Sequence, residues 1–499
     1  MADDGNAVAG ELLRRSAERW PARTAVVDRQ RACSYRELEN RAQSVAAWLV
    51  DRGLGPGQRL AVLSGNCLDY AVLIFAAARC GAVLVHLSLR AHGAELERML
   101  QDSGASVLFL GPGASVESLP ATSAPALEVL PLDRLSAEVR VPAGALPLPE
   151  ATAAYAMTYT GGTTGRPKGV LVSHRARAGQ ASIIARAFGM RGEDVIAVAT
   201  PLFHVAGLFV WFQPAIAVGA TCILLDGWDP ERFLATAEAR QVTLAMLVPT
   251  QLIDLLRRGI DPETRLRSLR RIVYAGAPMP AAVRDELMAR LPWIEFIENY
   301  GQSELGAVTV RRGADLPARA GSIGRALPGL DLAIMRPDGM PAATGEAGEL
   351  VCRGPNHLLC YDNDPAATRA LYPFGGDWLA TGDIAVMDAD GFVTLVDRAK
   401  DMIISGAENI YPVEIENILH RHPAVAECAV VGRPDERLGE VPVAYVVRRA
   451  GGTVDAEALI AHCLAALPRH KRPRAVEFLA ELPKTAIGKV QKNLLRERG

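Results

Sequence analysis

Lysine is scarce in this chain of 499 residues, because only six of its 54 basic residues are lysine and arginine supplies the rest. The 56 acidic residues nearly balance the basic ones, so the formal net charge is −2. That balance excludes the strongly basic surface that attracts nucleic acid. Where arginine is the default cation, a retained lysine indicates a site that needs a compact charge on a flexible stem. A biased composition that left lysines at random is the alternative.

Long apolar runs and cysteine clusters are also absent. No stretch approaches the roughly 18 uninterrupted apolar residues of a membrane span, and Arg79 and Gly81 interrupt the longest candidate, residues 71–87. The chain starts with polar residues, including Asp3 and Asp4, and offers no apolar core for a secretory signal, so we expect a cytoplasmic location. The eight cysteines are scattered without a CxxC pair, which favours a reduced compartment without structural zinc.

The apolar residues follow a pattern of alternating helices and strands. Residues 35–53 are spaced for an amphipathic helix, and residues 58–65 are typical of a buried strand. This alternation predicts an α/β fold built of layers. Residues 111–150 are rich in Pro, Ala, Gly and Ser and predict a surface connection. Further strands are predicted over residues 215–225, 242–249 and 270–278, with a helix over residues 230–241.

A change in pattern near residue 397 predicts a domain boundary. A chain of this length exceeds what one hydrophobic core usually serves, so at least two domains are expected. After Asp397 the elements become shorter and follow an α+β order. A helix is predicted over residues 414–425, with strands over residues 426–435 and 439–448. We therefore expect an N-terminal domain over residues 1–396, a hinge at residues 397–401 and a small α+β domain over residues 402–499.

The strongest chemical signal is the segment YTGGTTGRPKG, residues 159–169. Its glycines let backbone N–H groups turn toward an anion, its threonines add hydroxyl donors and its lysine adds a cation. The candidate polyphosphate ligands are Thr160, Gly161, Gly162, Thr163, Thr164, Gly165 and Lys168. The segment is not a Walker loop, because Pro167 and Gly169 stand where that motif has glycine and a hydroxyl residue. A Gly/Thr hairpin without such a function is the alternative.

These eleven residues resemble the phosphate loop of the adenylate-forming superfamily, which includes acyl-CoA synthetases, peptide-synthetase adenylation domains and beetle luciferases. Further motifs follow in the family's order, and the resemblance covers nearly the whole chain. It looks most similar to bacterial aryl- and acyl-CoA ligases of the 4-chlorobenzoate and feruloyl type, chiefly through DMIISGAENIYPVEIE, residues 401–416. The resemblance implies a large N-terminal domain of layered α/β subdomains and a small mobile C-terminal domain.

The resemblance also implies a nucleotide site. The backbone of YAGAP is expected to lie flat against adenine. In ENYGQSE, Tyr300 is expected to stack on the purine, Ser303 to contact the α-phosphate and Glu304 to bind Mg²⁺. In TGD and DRAKD, Asp383 and Arg398 are expected at the ribose. The further residues that these motifs contribute are Gly276, Ala277, Pro278, Asn299 and Gly301. A surface turn with a solvated glutamate is the alternative for YGQSE taken alone.

Three C-terminal features follow from the same resemblance. Lys489 in LPKTAIGKVQK is expected to enter the active site during adenylation and to balance charge at phosphorus. Lys400 is expected to be the hinge residue. Ser405, Gly406 and Ala407 are expected to line a channel for the pantetheine arm of coenzyme A. Similar ligases carry glycine where this chain has Ala407, so the extra methyl group narrows the channel and counts against free coenzyme A as the acceptor.

PLFHVAG, residues 201–207, begins the expected acyl pocket, with His204 between the nucleotide and the acid. A packed core histidine is the alternative. The other positions implied by similarity carry no formal charge: Val205, Phe209, Val248, Ala275, Gly301 and Leu305. No aspartate follows His204 to hold an amine, and no arginine is evident for a second carboxylate. These walls predict a neutral aryl or medium-length acid.

Together the motifs predict an enzyme that uses ATP, Mg²⁺ and coenzyme A to join a small carboxylic acid to a thiol through an acyl-adenylate. The expected catalytic residues are Thr160, Lys168, His204, Glu304 and Lys489. One alternative acceptor is the phosphopantetheine of an acyl carrier protein. Another alternative is a non-catalytic nucleotide or acyl-adenylate binding module, and oxidative light emission of the luciferase kind is a remote third. We expect a monomer or homodimer.

Overall fold

A computed structural model of the chain shows two compact units, one of residues 1–331 and 353–373 and the other of residues 332–352 and 374–499. The structure describes residues 8–29, 31–91, 93–115, 119, 127–136, 146–160, 167–257, 262–315, 318–398, 401, 403–405, 408–435, 437–449, 451–484 and 490–498. Within that part of the chain, no helix is long and apolar enough to cross a membrane.

A nine-stranded sheet organises the larger unit. Its strands are β1 (Thr24–Asp28), β2 (Arg31–Ser34), β9 (Val195–Val198), β10 (Thr221–Leu224), β11 (Leu244–Leu247), β12 (Arg271–Tyr274), β13 (Glu295–Gln302), β14 (Gly306–Arg311) and β15 (Arg325–Ala326). They lie in the order β15-β14-β13-β12-β11-β9-β10-β1-β2. The central strands are parallel, and their short apolar runs are buried, as a parallel sheet covered on both faces requires.

The larger unit also holds a seven-stranded sheet of β3 (Arg59–Leu63), β4 (Val83–Leu87), β5 (Val107–Leu110), β6 (Glu128–Pro131), β7 (Ala154–Thr160), β8 (Lys168–Ser173) and β18 (Cys360–Tyr361). Its order is β18-β8-β7-β4-β3-β5-β6. The predicted surface connection over residues 111–150 is wrong for residues 128–136. There β6 pairs with β5, and the following 3₁₀ turn buries Leu132 and Leu135, because the apolar residues find partners on the sheet.

Helices cover the strands of this unit. They are α1 (Ala9–Arg19), α2 (Tyr35–Asp51), α3 (Leu68–Cys80), α4 (Ala94–Ser103), α5 (His174–Ala187), a π-helix (Ala206–Phe212), α6 (Gln213–Ala217), α7 (Pro230–Ala239), α8 (Pro249–Arg257), α9 (Pro262–Arg265), α10 (Ala281–Arg290) and α11 (Pro365–Ala370). The helix predicted over residues 35–53 is confirmed as α2, which a capping box of Ser34 and Glu37 starts. The strand predicted over residues 215–225 is right only for β10, because the π-helix continues into α6 before Gly219 turns the chain.

The described residues of the smaller unit form two further sheets and three α-helices. The first sheet joins β16 (Asp331–Met335), β17 (Gly348–Arg353), β19 (Leu379–Met387) and β20 (Val393–Arg398), and the second joins β21 (Ile403–Ser405), β22 (Glu408–Ile410), β23 (Val425–Asp435), β24 (Gly439–Arg448) and β25 (Ala475–Phe478). The helices are α12 (Pro412–His420), α13 (Ala456–Ala466) and α14 (Lys492–Arg496). The strands predicted over residues 426–435 and 439–448 are confirmed as β23 and β24, whereas the helix predicted over residues 414–425 ends at His420.

Lysine side chains of the smaller unit form ion pairs with glutamates. Lys471 pairs with Glu414 across 2.7 Å, and Lys484 pairs with Glu427 across 2.7 Å. Lys492 on α14 pairs with Glu416 on α12, also across 2.7 Å. These contacts hold the C-terminal segments against α12 and β23.

Candidate active site

Four parallel strands of the nine-stranded sheet end at one edge, and the predicted motifs follow them there. The register sets Leu247 beside Tyr274 and Tyr274 beside Glu298, so the residues that come next in each strand are neighbours. After β9 the chain forms β10 on one side of β9 and then β11 on its other side. The strand order therefore reverses at β9, which makes β9 a switch point. Ligands of open α/β sheets bind at such a point, outside the carboxyl ends of the strands.

The expected adenine shelf lies at the end of β12. Gly276, Ala277 and Pro278 are exposed, and Gly276 has a φ of 87°, a conformation that glycine adopts without strain. A Cβ built at Gly276 would lie 3.7 Å from a methyl group of Val248, so the wall from β11 stands next to the shelf. The structure therefore brings the YAGAP motif and Val248 together at an accessible edge.

The ENYGQSE motif forms the bulge between β13 and β14. Asn299 is buried, and its amide donates to the carbonyl oxygen of Thr309 over 2.8 Å, which fixes the two strands. A Cβ at Gly301 would overlap the carbonyl oxygen of Gly306, so the close approach requires glycine. Tyr300 is partly buried beside this bulge.

The described ends of the phosphate-loop motif belong to β7 and β8, where Thr160 pairs with Lys168. Residues 161–166 lie outside the described residues, so the roles of Gly161, Gly162, Thr163, Thr164 and Gly165 stay predictions. The ammonium of Lys168 lies 4.8 Å from the centroid of the Tyr361 ring, over its face. Such a contact stabilises a cation without neutralising it.

Tyr361 connects that lysine with the expected metal ligand. Its hydroxyl donates to Oε1 of Glu304 over 2.7 Å. Burial and then the charge of Glu304 raise the pKa of Tyr361, so the phenol keeps its proton and remains a donor. Glu304 itself is partly exposed, and a carboxylate oxygen fits Mg²⁺. No group of three or more His, Cys, Asp or Glu that could hold a metal occurs among the described residues.

Residues 356–362, which we name the bracing segment, were missed by the sequence analysis. The segment lies along β8, where the backbone N–H of Asp362 donates to Gly169 over 2.8 Å. The Asp362 carboxylate pairs with both terminal nitrogens of Arg59 on β3, at 2.6 and 2.7 Å. This bidentate pair is a strong and directional contact. The two-residue strand β18 is too short to give a periodic signal, so the sequence offered nothing to find it by.

The expected acyl side is built around the π-helix. Phe209 is 1% exposed and meets the rings of Tyr155 and His86 edge-on, at centroid distances of 5.9 and 6.4 Å. Val205, Ala275 and Leu305 are buried as well. A long π-helix is rare and occurs mostly at functional sites.

His204 stands just before the π-helix. Its Nδ1 accepts the backbone N–H of Ala206 over 3.2 Å, so Nε2 carries the proton of the neutral ring. Burial lowers the pKa of His204 to about 4, and the side chain is therefore uncharged at neutral pH. His204 therefore adds no formal charge to the acyl side, which agrees with the neutral histidine expected from the sequence.

In the smaller unit, Asp383 and Arg398 occupy opposite positions of the β19–β20 ladder. Asp383 is 2% exposed, and its backbone N–H donates to the hydroxyl of Thr381. Ser405 ends β21 and pairs with Gly439 of β24. The predicted roles of Lys400, Gly406, Ala407 and Lys489, and of the Arg398 side chain, fall outside the described residues.

Comparison with known proteins shows the family of this chain. The AMP-binding enzyme family matches residues 13–362, and the C-terminal domain of AMP-binding enzymes matches residues 414–489. This chain belongs to the AMP-binding enzyme family. Feruloyl-CoA synthase of an Amycolatopsis species is 37% identical over 485 residues, covering 97% of each chain.

Two solved structures of similar proteins carry nucleotide ligands. ATP-bound MatB of Rhodopseudomonas palustris is 30% identical with a TM-score of 0.90, covering 98% of each chain. The o-succinylbenzoate CoA synthetase of Bacillus subtilis, in complex with its acyl-adenylate, is 28% identical with a TM-score of 0.86, covering 97% of each chain.

These similarities confirm the predicted α/β fold with a large N-terminal and a smaller C-terminal domain. They also confirm an AMP-forming acyl-CoA synthetase that uses ATP and coenzyme A. The comparisons thus establish the class of reaction, and the choice of carboxylic acid is a separate property of the site.

Proposed function

We propose that this AMP-binding enzyme activates a neutral aryl or medium-length carboxylic acid with MgATP and transfers the acyl group to free coenzyme A. The observation that carries the proposal is the pair of contacts that join Lys168 and Glu304 through Tyr361. A cation and a carboxylate held 4.8 and 2.7 Å from one tyrosine are the groups that a metal-bound triphosphate needs.

The acyl side supports an uncharged acid. His204 is neutral, and the other pocket positions are aliphatic, aromatic or glycine. The structure does hold an arginine near Phe209, namely Arg177, with its guanidinium carbon 5.6 Å from the ring centroid. Its terminal nitrogens donate to the backbone carbonyls of Asn356 and Ser303. Feruloyl-CoA synthase, a similar protein, is named for an aryl acid.

The proposed chemistry has two displacements. The substrate carboxylate attacks the α-phosphorus, and pyrophosphate leaves; a thiolate then attacks the acyl carbon, and AMP leaves. Thr160, Lys168 and the loop between them bind the phosphates, Ser303 contacts the α-phosphate and Asp383 and Arg398 bind the ribose. Glu304 would hold Mg²⁺, and the ion would supply positive charge for the departing pyrophosphate. Positioning and charge stabilisation provide most of the rate enhancement in such reactions.

A screen of carboxylic acids tests this assignment. Purified protein is mixed with MgATP, coenzyme A and each acid, and the thioester is detected by mass spectrometry, with and without a metal chelator. We expect neutral aryl or medium-length acids to give acyl-CoA and the chelator to abolish the product. Acylation of a holo-carrier protein without any acyl-CoA contradicts free coenzyme A as the acceptor. Nucleotide binding without pyrophosphate release for every acid indicates the non-catalytic module.

The division of labour along the chain is also proposed, with domains at 1–396 and 402–499 joined by the hinge at 397–401. Lys489 then serves adenylation, and Ser405, Gly406 and Ala407 serve the thiol step. We expect Lys489→Ala to abolish pyrophosphate release while thioester formation from supplied acyl-adenylate stays near the wild-type rate. The neighbouring substitution Lys484→Ala, which removes only an ion pair with Glu427, is the matched control. Equal loss in both half-reactions contradicts the assignment.

A further inference from the structure

Arg177 is a buried cation of the larger unit, located on helix α5 and 1% exposed. Its Nη1 donates to the carbonyl oxygen of Asn356 over 2.6 Å, and its Nη2 donates to that of Ser303 over 2.7 Å. Within the part of the chain that the structure describes, no carboxylate comes within ion-pair distance of it. Burial lowers the pKa of this guanidinium to about 10, so it remains charged at neutral pH. Where a buried charged side chain has only a structural role, an apolar side chain of similar volume commonly serves equally well.

The carbonyl groups that this arginine holds belong to two segments that meet at the expected metal ligand. In the turn Ser303–Leu305, which we name the metal turn, each carbonyl accepts a bond from a separate donor. Ser303 accepts from Arg177, Glu304 accepts from the backbone N–H of Leu358 over 2.8 Å, and Leu305 accepts from the amide of Asn356 over 2.8 Å. Two of the three donors lie on the bracing segment.

Arg177 therefore closes a ring of bonds. It binds the metal turn directly through Ser303 and indirectly through Asn356, whose own amide holds Leu305. The bracing segment continues to Tyr361, which donates to the Glu304 carboxylate. One planar guanidinium thus fixes the backbone of the metal turn and also the bracing segment, which orients the Glu304 side chain.

We propose that Arg177 is a positioning residue for adenylation, which sets the metal turn so that the Glu304 carboxylate and the Ser303 hydroxyl face MgATP. This inference rests on the proposed function of the turn. Arg177 touches neither substrate nor metal, and it acts through Ser303 and Asn356. Its planar fork holds two carbonyls at once, which the single ammonium of lysine does with poorer geometry.

The test compares Arg177→Met with Arg175→Met, an exposed arginine two residues away on the same helix. Pyrophosphate release at varied MgATP and varied free Mg²⁺ measures adenylation, and thioester formation from supplied acyl-adenylate measures the second step. We expect Arg177→Met to lower kcat/KM for MgATP about 100-fold, since it removes two charge-assisted hydrogen bonds, and to raise the Mg²⁺ requirement. The thioester step and all values for Arg175→Met stay within about twofold of wild type.

A second measurement distinguishes positioning from general loss of folding. Arg177→Ala is assayed with millimolar guanidinium chloride and with urea, which has a similar shape and no charge. We expect guanidinium to restore part of the adenylation rate and urea to restore none. Where neither Arg177 variant folds, Asn356→Asp provides the test, because it removes the amide that holds Leu305 and leaves the buried cation in place. That variant is expected to show the same selective loss of adenylation.

Two results overturn the proposal. One is an equal loss of both half-reactions in folded Arg177→Met, and the other is unchanged kinetics for MgATP and Mg²⁺. Failure of the proposed function looks different, because the wild-type protein then releases no pyrophosphate with any acid. Wild-type activity beside an unaffected Arg177→Met variant rejects this inference alone.

Discussion

The metal turn and the π-helix both follow carboxyl ends of strands in the nine-stranded sheet, yet different interactions hold them. Each carbonyl of the turn accepts a hydrogen bond from a donor outside it, whereas the π-helix is held by buried rings and aliphatic side chains. Hydrogen bonds fix direction as well as distance, while packing tolerates exchange for side chains of similar volume. The comparison teaches that polar bonds fix the nucleotide side, whereas the acyl side can vary in shape only where side chains, and not backbone atoms, are in contact.

The largest effect is expected where packing leaves no tolerance. A Cβ at Gly207 would overlap the carbonyl oxygen of Pro201 and lie 2.8 Å from that of Thr200, both of them backbone atoms. We expect Gly207→Ala to lower the free energy of unfolding by roughly 3 kcal/mol, measured by chemical denaturation. Gly55→Ala, whose added Cβ meets only one atom at 4.0 Å, is the control. Equal stability of both variants means that the π-helix is not anchored at Gly207.

On the polar side, Tyr361→Phe separates two contacts. The variant keeps the ring under Lys168 but loses the hydroxyl that donates to Glu304. Because a hydrogen bond to a charged group contributes about 1.5–3 kcal/mol, we expect kcat/KM for MgATP to fall about 10- to 100-fold. Acid preference should stay as in the wild type. Tyr35→Phe, which removes a hydroxyl that donates to the carbonyl oxygen of Ala220 over 2.6 Å, serves as the control. A changed ranking of acids in Tyr361→Phe breaks the comparison.

A smaller effect, on acid preference and not on MgATP, is expected for Phe209→Leu. The shorter side chain enlarges the acyl side, so preference should shift about tenfold toward bulkier acids while KM for MgATP stays constant. Phe188→Leu is the matched control, because the Phe188 ring is equally buried but packs on Trp211 and not on the expected acyl pocket. Competition between a small and a large aryl acid gives the ratio. An unchanged ratio excludes Phe209 from the pocket.

The smallest effect concerns pH. Burial disfavours the imidazolium form and lowers the pKa of His204 to about 4, so protonation begins only as the pH falls toward that value. We expect the ratio of kcat/KM for the acid between wild type and His204→Gln to stay constant from about pH 5.5 to 8. A wild-type inflection near the ordinary value of 6.5 that disappears in His204→Gln contradicts the partly buried, neutral ring.

Residues in the motifs after the apolar strands could be predicted from the sequence, because their composition and order resemble those of the adenylate-forming superfamily. The shelf at Gly276 and the turn at Glu304 were predicted through that resemblance. The contact between Lys168 and Tyr361 could not be found, since it depends on a strand pair between residues nearly 200 positions apart. The two residues of β18 leave no pattern in the sequence.

Arg177 illustrates a second reason for failure. In a chain whose basic residues are nearly all arginine, the segment HRARAG resembles an ordinary solvated helix start, and only the packed structure shows that Arg175 is exposed while Arg177 is buried. The π-helix and α6 were missed for a related reason. Their residues, AGLFVWFQPAIA, are apolar in almost every position, so no face distinguishes a helix from a buried strand.

The scarcity of lysine has a consequence for an enzyme that makes activated acids. Acyl-adenylates and thioesters modify free amines, and guanidinium groups are far weaker nucleophiles at neutral pH. The ammonium groups of Lys471, Lys484 and Lys492 each form an ion pair with a glutamate. The surface of this protein therefore presents few targets to any product that escapes before the thiol arrives.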